Sequence, residues 1–149
     1  QLPQFFDAGN WMNVLRADQV GDGFIARYII KGGGDAYKRI AEIKRSGAAL
    51  VVPINFPIAY DVTDPLDAEK VSLSDMKHWE LAPTNPGALE KNNINFALTS
   101  SGIKKKSDFM ANIRKAIKHG LSESKALQAV TSTPATMVNM QNRIGSRKK

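Results

Sequence analysis

The sequence contains no cysteine and only two histidines among its 149 residues. Without cysteine, the chain has no disulfides, no cysteine-based zinc site and no thiol nucleophile. His78 and His119 lie too far apart in sequence to form the two-histidine pair at i and i+4 that helical zinc sites use, so we expect no such site. No apolar run approaches the ~20 residues of a membrane span, and no membrane partner is expected.

The charge is basic, with 21 Lys and Arg residues against 14 Asp and Glu residues and a net charge of +7. Such an excess can attract nucleic acid or other acidic partners. The basic residues are dispersed, however, and the tight cluster Lys104–Lys106 falls in a predicted loop. Dispersed charge is typical of a solvated surface, so a nucleic-acid partner is the less favoured alternative.

Four short apolar runs each end in polar or glycine residues, and a helical pattern follows each of them. This order is typical of parallel βα units. The sequence therefore predicts an α/β fold with about four parallel βα units and extra C-terminal helices. The predicted strands are Leu2–Phe6, Phe24–Ile30, Leu50–Ile54 and Ile94–Thr99.

Several residues predict where the helices begin. Asn10 and Asp35 are expected to cap the first two helices, the second of which ends at Ser46 before Gly47. A long loop is expected over Asn55–Ser74. After it, Asn85 is expected to cap a helix with proline at its first position.

The carboxyl ends of parallel strands are where such sheets and barrels carry their chemistry. The candidate ligand-binding residues at this rim are Asp7, Lys31, Asn55, Thr99 and Ser100, with Ser101 beside them. Asp7 and Lys31 end consecutive strands and are expected to form an ion pair, which is a structural role by default.

Two further strand-end features have a structural interpretation. Ser100 and Ser101 lack a Gly-x-Ser-x-Gly elbow and a histidine that could act as their base, so turn and cap roles are expected. The run Gly32–Gly34 lacks the spacing of a Rossmann fingerprint or a P-loop, which favours a tight turn over a phosphate site.

The C-terminal segment carries a more specific pattern. It consists of Gly120-Leu121-Ser122, Lys125-Ala126-Leu127, Thr131, Thr133-Pro134-Ala135 and Arg143-Ile144-Gly145. This pattern resembles the amidohydrolase superfamily, and within it the imidazolonepropionase-like members. The resemblance implies that residues 1–149 are a single fragment of a longer protein. The fragment would be the second half of a TIM-type (β/α)₈ barrel, namely strands five to eight.

Members of that family hydrolyse C–N bonds with one or two divalent metals such as Zn²⁺. The resemblance implies metal ligands at three of the strand ends present here, namely histidines on strands five and six and an aspartate on strand eight. This sequence has Asp7, Lys31 and Ser100 at those positions. An ammonium group has no lone pair for a metal, and serine is a poor Zn²⁺ ligand that cannot act as a base at neutral pH.

The expected metal site is therefore degenerate: Asp7 is the one candidate ligand, no catalytic residue is assigned, and this fragment is expected to bind no cofactor. Three hypotheses stay open at this stage. The chain belongs to an inactive ligand-binding or scaffold domain, to an active C–N hydrolase with a remodelled or second site, or to a basic nucleic-acid-binding module. The expected partners are the missing N-terminal half of the barrel and a second copy bound through unpaired strand edges.

Overall fold

A four-stranded parallel sheet forms the centre of the protein. The computed structural model describes residues 2–24 and 26–145. The strands follow the sequence in space, in the order β1-β2-β3-β4. They comprise β1 (Gln4–Asp7), β2 (Tyr28–Lys31), β3 (Ala49–Pro53) and β4 (Phe96–Thr99). All neighbouring pairs are parallel, which confirms the predicted fold class of about four parallel βα units.

Helices connect the strands and extend beyond the last one. A 3₁₀ helix (Ala36–Arg39) precedes α2 and another (Ala82–Thr84) precedes α5. The helices are α1 (Trp11–Gly23), α2 (Ile40–Ser46), α3 (Pro65–Lys70), α4 (Leu73–Leu81), α5 (Asn85–Lys91), α6 (Lys106–Lys118), α7 (Glu123–Val130) and α8 (Ser132–Met137). The predicted extra C-terminal helices are α7 and α8. Within the described ranges, none of these helices combines the length and apolar character needed to cross a membrane.

The core lies between the sheet and its helices. In β3, Leu50 and Val52 are fully buried, while the three residues that alternate with them are half-buried, as the two-residue period of a strand requires. Phe96 on β4 is also fully buried and belongs to the same apolar cluster as Leu89 of α5. The sheet is therefore well covered around β3 and β4.

The edge strand β1 is different, because all four of its residues are exposed. Phe5 and Phe6 point to opposite faces of the sheet, since successive side chains alternate. Phe5 is 57% exposed and Phe6 is 39% exposed. The described residues therefore leave both faces of this edge open.

Several local predictions are confirmed. Asn10 caps α1, with its side-chain oxygen accepting a hydrogen bond from the backbone N–H of Asn13 at 3.0 Å. Gly47 ends α2 with φ of +68°, a conformation that glycine adopts without strain. Pro53 is the last residue of β3, where its missing N–H does least damage to the ladder.

Other local predictions are wrong. The second strand begins at Tyr28, and Phe24 instead caps the C-terminal end of α1. Asp35 makes no side-chain hydrogen bond to the 3₁₀ helix that follows it. Asn85 is the first residue of α5 rather than its cap, and its side chain is turned into the protein. The expected loop Asn55–Ser74 contains α3 and the start of α4, because Asp64 and Ser72 cap two short helices.

Candidate functional site

A cavity of about 590 Å³ lies at the carboxyl ends of the strands. Three of the five rim candidates line it, namely Asp7, Lys31 and Asn55, and Ser101 lines it as well. Thr99 and Ser100 do not line it. Thr99 accepts a hydrogen bond from the backbone N–H of Ser101 at 3.3 Å, and Ser100 is exposed to solvent.

Asp7 and Lys31 form the ion pair that their positions predicted. The parallel register of β1 and β2 places the two residues opposite one another. Lys31 Nζ lies 2.6 Å from Asp7 Oδ2. The Lys31 side chain is 38% exposed and that of Asp7 is 65% exposed, so water screens the pair and its contribution to stability is small.

A second acidic residue joins the cavity wall to α1. Asp35 Oδ1 accepts a hydrogen bond from the backbone N–H of Trp11 at 2.8 Å, and its Oδ2 lies 3.7 Å from Lys38 Nζ. The Trp11 N–H belongs to the first turn of α1, where helical N–H groups lack partners and negative charge is favourable. Asp35 thus stabilises the first helix, 24 residues earlier in sequence, rather than the second.

The glycine run after β2 forms a tight turn that is stabilised by a side chain distant in sequence. Gly33 has φ of +71°, and a Cβ atom on Gly32 would lie 3.1 Å from the backbone nitrogen of Gly9. The buried Asn85 side chain donates to the Gly33 carbonyl at 2.8 Å and accepts from the Tyr37 N–H at 2.8 Å. Asn85 is 1% exposed, so both hydrogen bonds are shielded from water.

His78 is a cavity residue that the sequence analysis missed. It lies on α4 and lines the cavity, and its Nδ1 is 2.9 Å from the hydroxyl of Tyr37. The two rings also stack, with an angle of 14° between their planes. The sequence around His78 gave no sign of this contact, because Tyr37 is 41 residues away in sequence.

The surroundings of this pair favour neutral side chains. Burial lowers the pKa of His78, and Lys38 lowers it further, whereas Asp35 and Asp75 oppose the shift. Burial and the nearby Asp35 raise the pKa of Tyr37, so its hydroxyl keeps its proton at neutral pH. When that hydroxyl donates to Nδ1, the imidazole proton lies on Nε2.

The residues at this rim do not fit a divalent metal. The Asp7 carboxylate is engaged by an ammonium group, Lys31 has no lone pair to offer, and Ser100 lies outside the cavity wall. Over residues 2–24 and 26–145, no three His, Asp or Glu side chains are grouped as metal ligands. What the cavity does offer is hydrogen-bonding groups and two neutralised ion pairs.

Comparison with known proteins adds a fold relationship. No protein-family model matches the chain, and no curated protein matches it. A solved structure that does match is that of an amidohydrolase from Thermotoga maritima MSB8, with a TM-score of 0.65 and 20% sequence identity. The match covers 98% of this chain and 35% of that one. At this identity, the likeness establishes the fold alone: the four βα units follow the course of about a third of an amidohydrolase chain.

Proposed function

We propose that this chain belongs to the amidohydrolase superfamily and forms the second half of a (β/α)₈ barrel, of the imidazolonepropionase-like type. Members of that family hydrolyse C–N bonds other than peptide bonds. Two independent observations support the assignment. The sequence pattern from Gly120 to Gly145 resembles that family, and the fold follows part of a solved amidohydrolase.

The open edge of the sheet supports the half-barrel assignment. An interior strand of a barrel has a neighbour on each side and is covered on both faces. β1 has one neighbour among the described strands and four exposed residues. In our proposal the N-terminal half of the same barrel covers this edge, and pairing with a second copy of the chain at the strand edges is the alternative.

The observation that carries the functional proposal is the Asp7–Lys31 ion pair. It occupies two strand ends at which the resemblance implies metal-binding histidines. In this proposal the Lys31 ammonium group stands at a position where the resemblance implies a metal ligand, and its 2.6 Å contact gives the Asp7 carboxylate a counter-ion. We infer that these strand ends are catalytically degenerate and supply no metal-dependent hydrolysis by themselves.

The second candidate function is a non-enzymatic ligand-binding or scaffold domain, and the cavity favours it. Asn55, Ser101 and His78 place an amide, a hydroxyl and an imidazole around a space of about 590 Å³. A site of this size suits a small polar molecule, with affinity coming from hydrogen bonds rather than from a metal. A longer protein that contains this chain can still be an active hydrolase, but only if its catalytic residues lie outside these strand ends.

A calorimetric titration with Zn²⁺ tests the degenerate site directly. We expect the wild-type chain and an Asp7→Asn variant to show the same absence of saturable binding at these strand ends. Saturable binding that disappears in Asp7→Asn would show that the rim still holds a metal and would contradict the proposal. A matched Asp108→Asn variant, on the exposed first turn of α6, controls for nonspecific carboxylate binding.

A further inference from the structure

The segment from Ile58 to Leu81, which contains α3 and α4, has a higher density of exposed large hydrophobic residues than the rest of the protein. Eight of the seventeen large hydrophobic residues that are exposed in the described part of the chain lie in these 24 positions. Neither α3 nor α4 contains a buried residue. An exposed apolar patch of this density marks an interaction surface.

Part of this patch forms a groove of about 430 Å³. We call it the hairpin groove, and the large side chains of its apolar walls are those of Tyr60, Val62, Val71, Leu73, Met76 and Trp79. Lys77 and Glu80 add one charge of each sign. The groove is distinct from the strand-end cavity, from which it differs in all its lining residues.

The same segment is acidic in a basic protein. It holds six of the 14 Asp and Glu residues and two of the 21 Lys and Arg residues, giving a formal charge of −4 against +11 for the remainder. Glu69 and Glu80 make no ion pair with any residue in the described ranges. A partner for this groove should therefore combine apolar and basic side chains.

Helix α6 presents such a surface on its outer face. Lys106, Met110, Arg114 and Lys118 recur every four residues and are all exposed, whereas Ile113 and Ala116 of the same helix are buried. Residues four apart lie on one helical face. This α6 stripe consists of three cations and a methionine. It complements the acidic segment 58–81, whose apolar groove contains Met76 and Trp79.

We propose that the hairpin groove binds the α6 stripe of a second copy of this chain. In a dimer with a two-fold axis, the groove of each copy binds the α6 stripe of the other copy. The two contacts are then equivalent, and the assembly is closed. The inference is independent of the proposed function, because it uses neither the metal positions nor the cavity. It also differs from pairing at the strand edges, which would involve β1 or β4.

Two charge-reversal variants test this dimer by sedimentation equilibrium and light scattering. One is Glu69→Lys/Glu80→Lys on the groove side, and the other is Arg114→Glu/Lys118→Glu on the stripe. In the homodimer of either variant, the groove side and the α6 stripe carry charges of the same sign and repel each other. We therefore expect the dissociation constant to rise roughly tenfold or more. A control variant, Asp22→Lys/Glu123→Lys, makes the same change in net charge as the groove-side variant but at exposed positions elsewhere, and it should dimerise as the wild type does.

Mixing the two variants is the decisive step. In the mixed pair, a basic groove meets an acidic stripe and an acidic groove meets a basic stripe, so we expect a one-to-one heterodimer from two proteins that are monomeric alone. Circular dichroism and the thermal midpoint show that each variant is folded. Trp79→Ala should weaken the wild-type dimer, whereas Leu127→Ala, an exposed leucine on α7, should not.

Three results would overturn the proposal. The first is a wild-type chain that stays monomeric at roughly 1 mM. The second is a dimer that neither reversal weakens, which would point to the strand edges. The third is a mixture of folded variants that remains monomeric, which would mean that groove and stripe do not meet.

Discussion

The two edges of the sheet differ in how the chain covers them. At one edge, Phe96, Ala97 and Leu98 of β4 are buried, and α7 and α8 pack against the strand. At the other edge, all four residues of β1 are exposed. Both strands end at the candidate site, yet only one rests on a core. The difference indicates that packing supports the site on the β4 side, whereas the described residues leave the β1 side uncovered.

The largest expected effect comes from making the same change at both edges. Phe96→Ala removes a fully buried ring and should destabilise the protein by about 3–5 kcal/mol. Phe5→Ala removes a ring that is 57% exposed and should cost less than about 1 kcal/mol. Urea denaturation of both variants measures this contrast. Equal losses would mean that β1 is covered as well as β4 is.

A smaller effect is expected at Asn85, whose side chain fixes the turn after β2. Asn85→Ala leaves the Gly33 carbonyl and the Tyr37 N–H without their partner, and we expect a loss of about 2–3 kcal/mol. Asn92→Ala is the matched control. Asn92 is the half-buried C-cap residue of α5 and donates to the Ala88 carbonyl, and its loss should cost about 1 kcal/mol. Chemical denaturation distinguishes the two, and similar losses would contradict the role assigned to Asn85.

The smallest effect is expected at His78. Because the pKa of His78 is lowered from 6.5 in the folded state, the unfolded chain binds the proton more readily. The stabilising contribution is present above pH 6.5 and is lost as the pH falls through the unfolded and then the folded pKa. Chemical denaturation between pH 7.5 and pH 5 should therefore show a free energy of unfolding that decreases as the pH decreases. His78→Gln should make this pH dependence weaker. If His119→Gln flattened it instead, the assignment to His78 would be wrong.

The parts of the fold that could be predicted from sequence depend on neighbouring residues. Apolar runs with polar ends at Asp7, Lys31, Asn55 and Thr99 predicted the four strands. The ion pair was predicted because Asp7 and Lys31 end two consecutive parallel strands. The roles of Asp35, Asn85 and His78 could not be obtained in this way. Their partners are Trp11, Gly33 and Tyr37, which lie 24 to 52 residues away.

The misassigned helix starts have the same physical cause. Asp and Asn before a helical pattern are typical caps, because their side chains can accept from the first N–H groups. At Asp35 and Asn85 those side chains instead satisfy backbone groups of other elements, and the local pattern carries no information about this competition. The residues that form α3 and the start of α4 were expected as a loop, because α3 is short and buries no side chain.

The central claim is that Asp7, Lys31 and Ser100 stand where the amidohydrolase family places metal ligands. A Zn²⁺ titration of the variant Asp7→His/Lys31→His/Ser100→Asp, with Ser100→Asp alone as control, tests it most directly. We predict saturable zinc binding by the triple variant and none by the control, because two imidazoles and a carboxylate form a ligand set that zinc favours. A folded triple variant that fails to bind zinc would contradict the assignment of these positions.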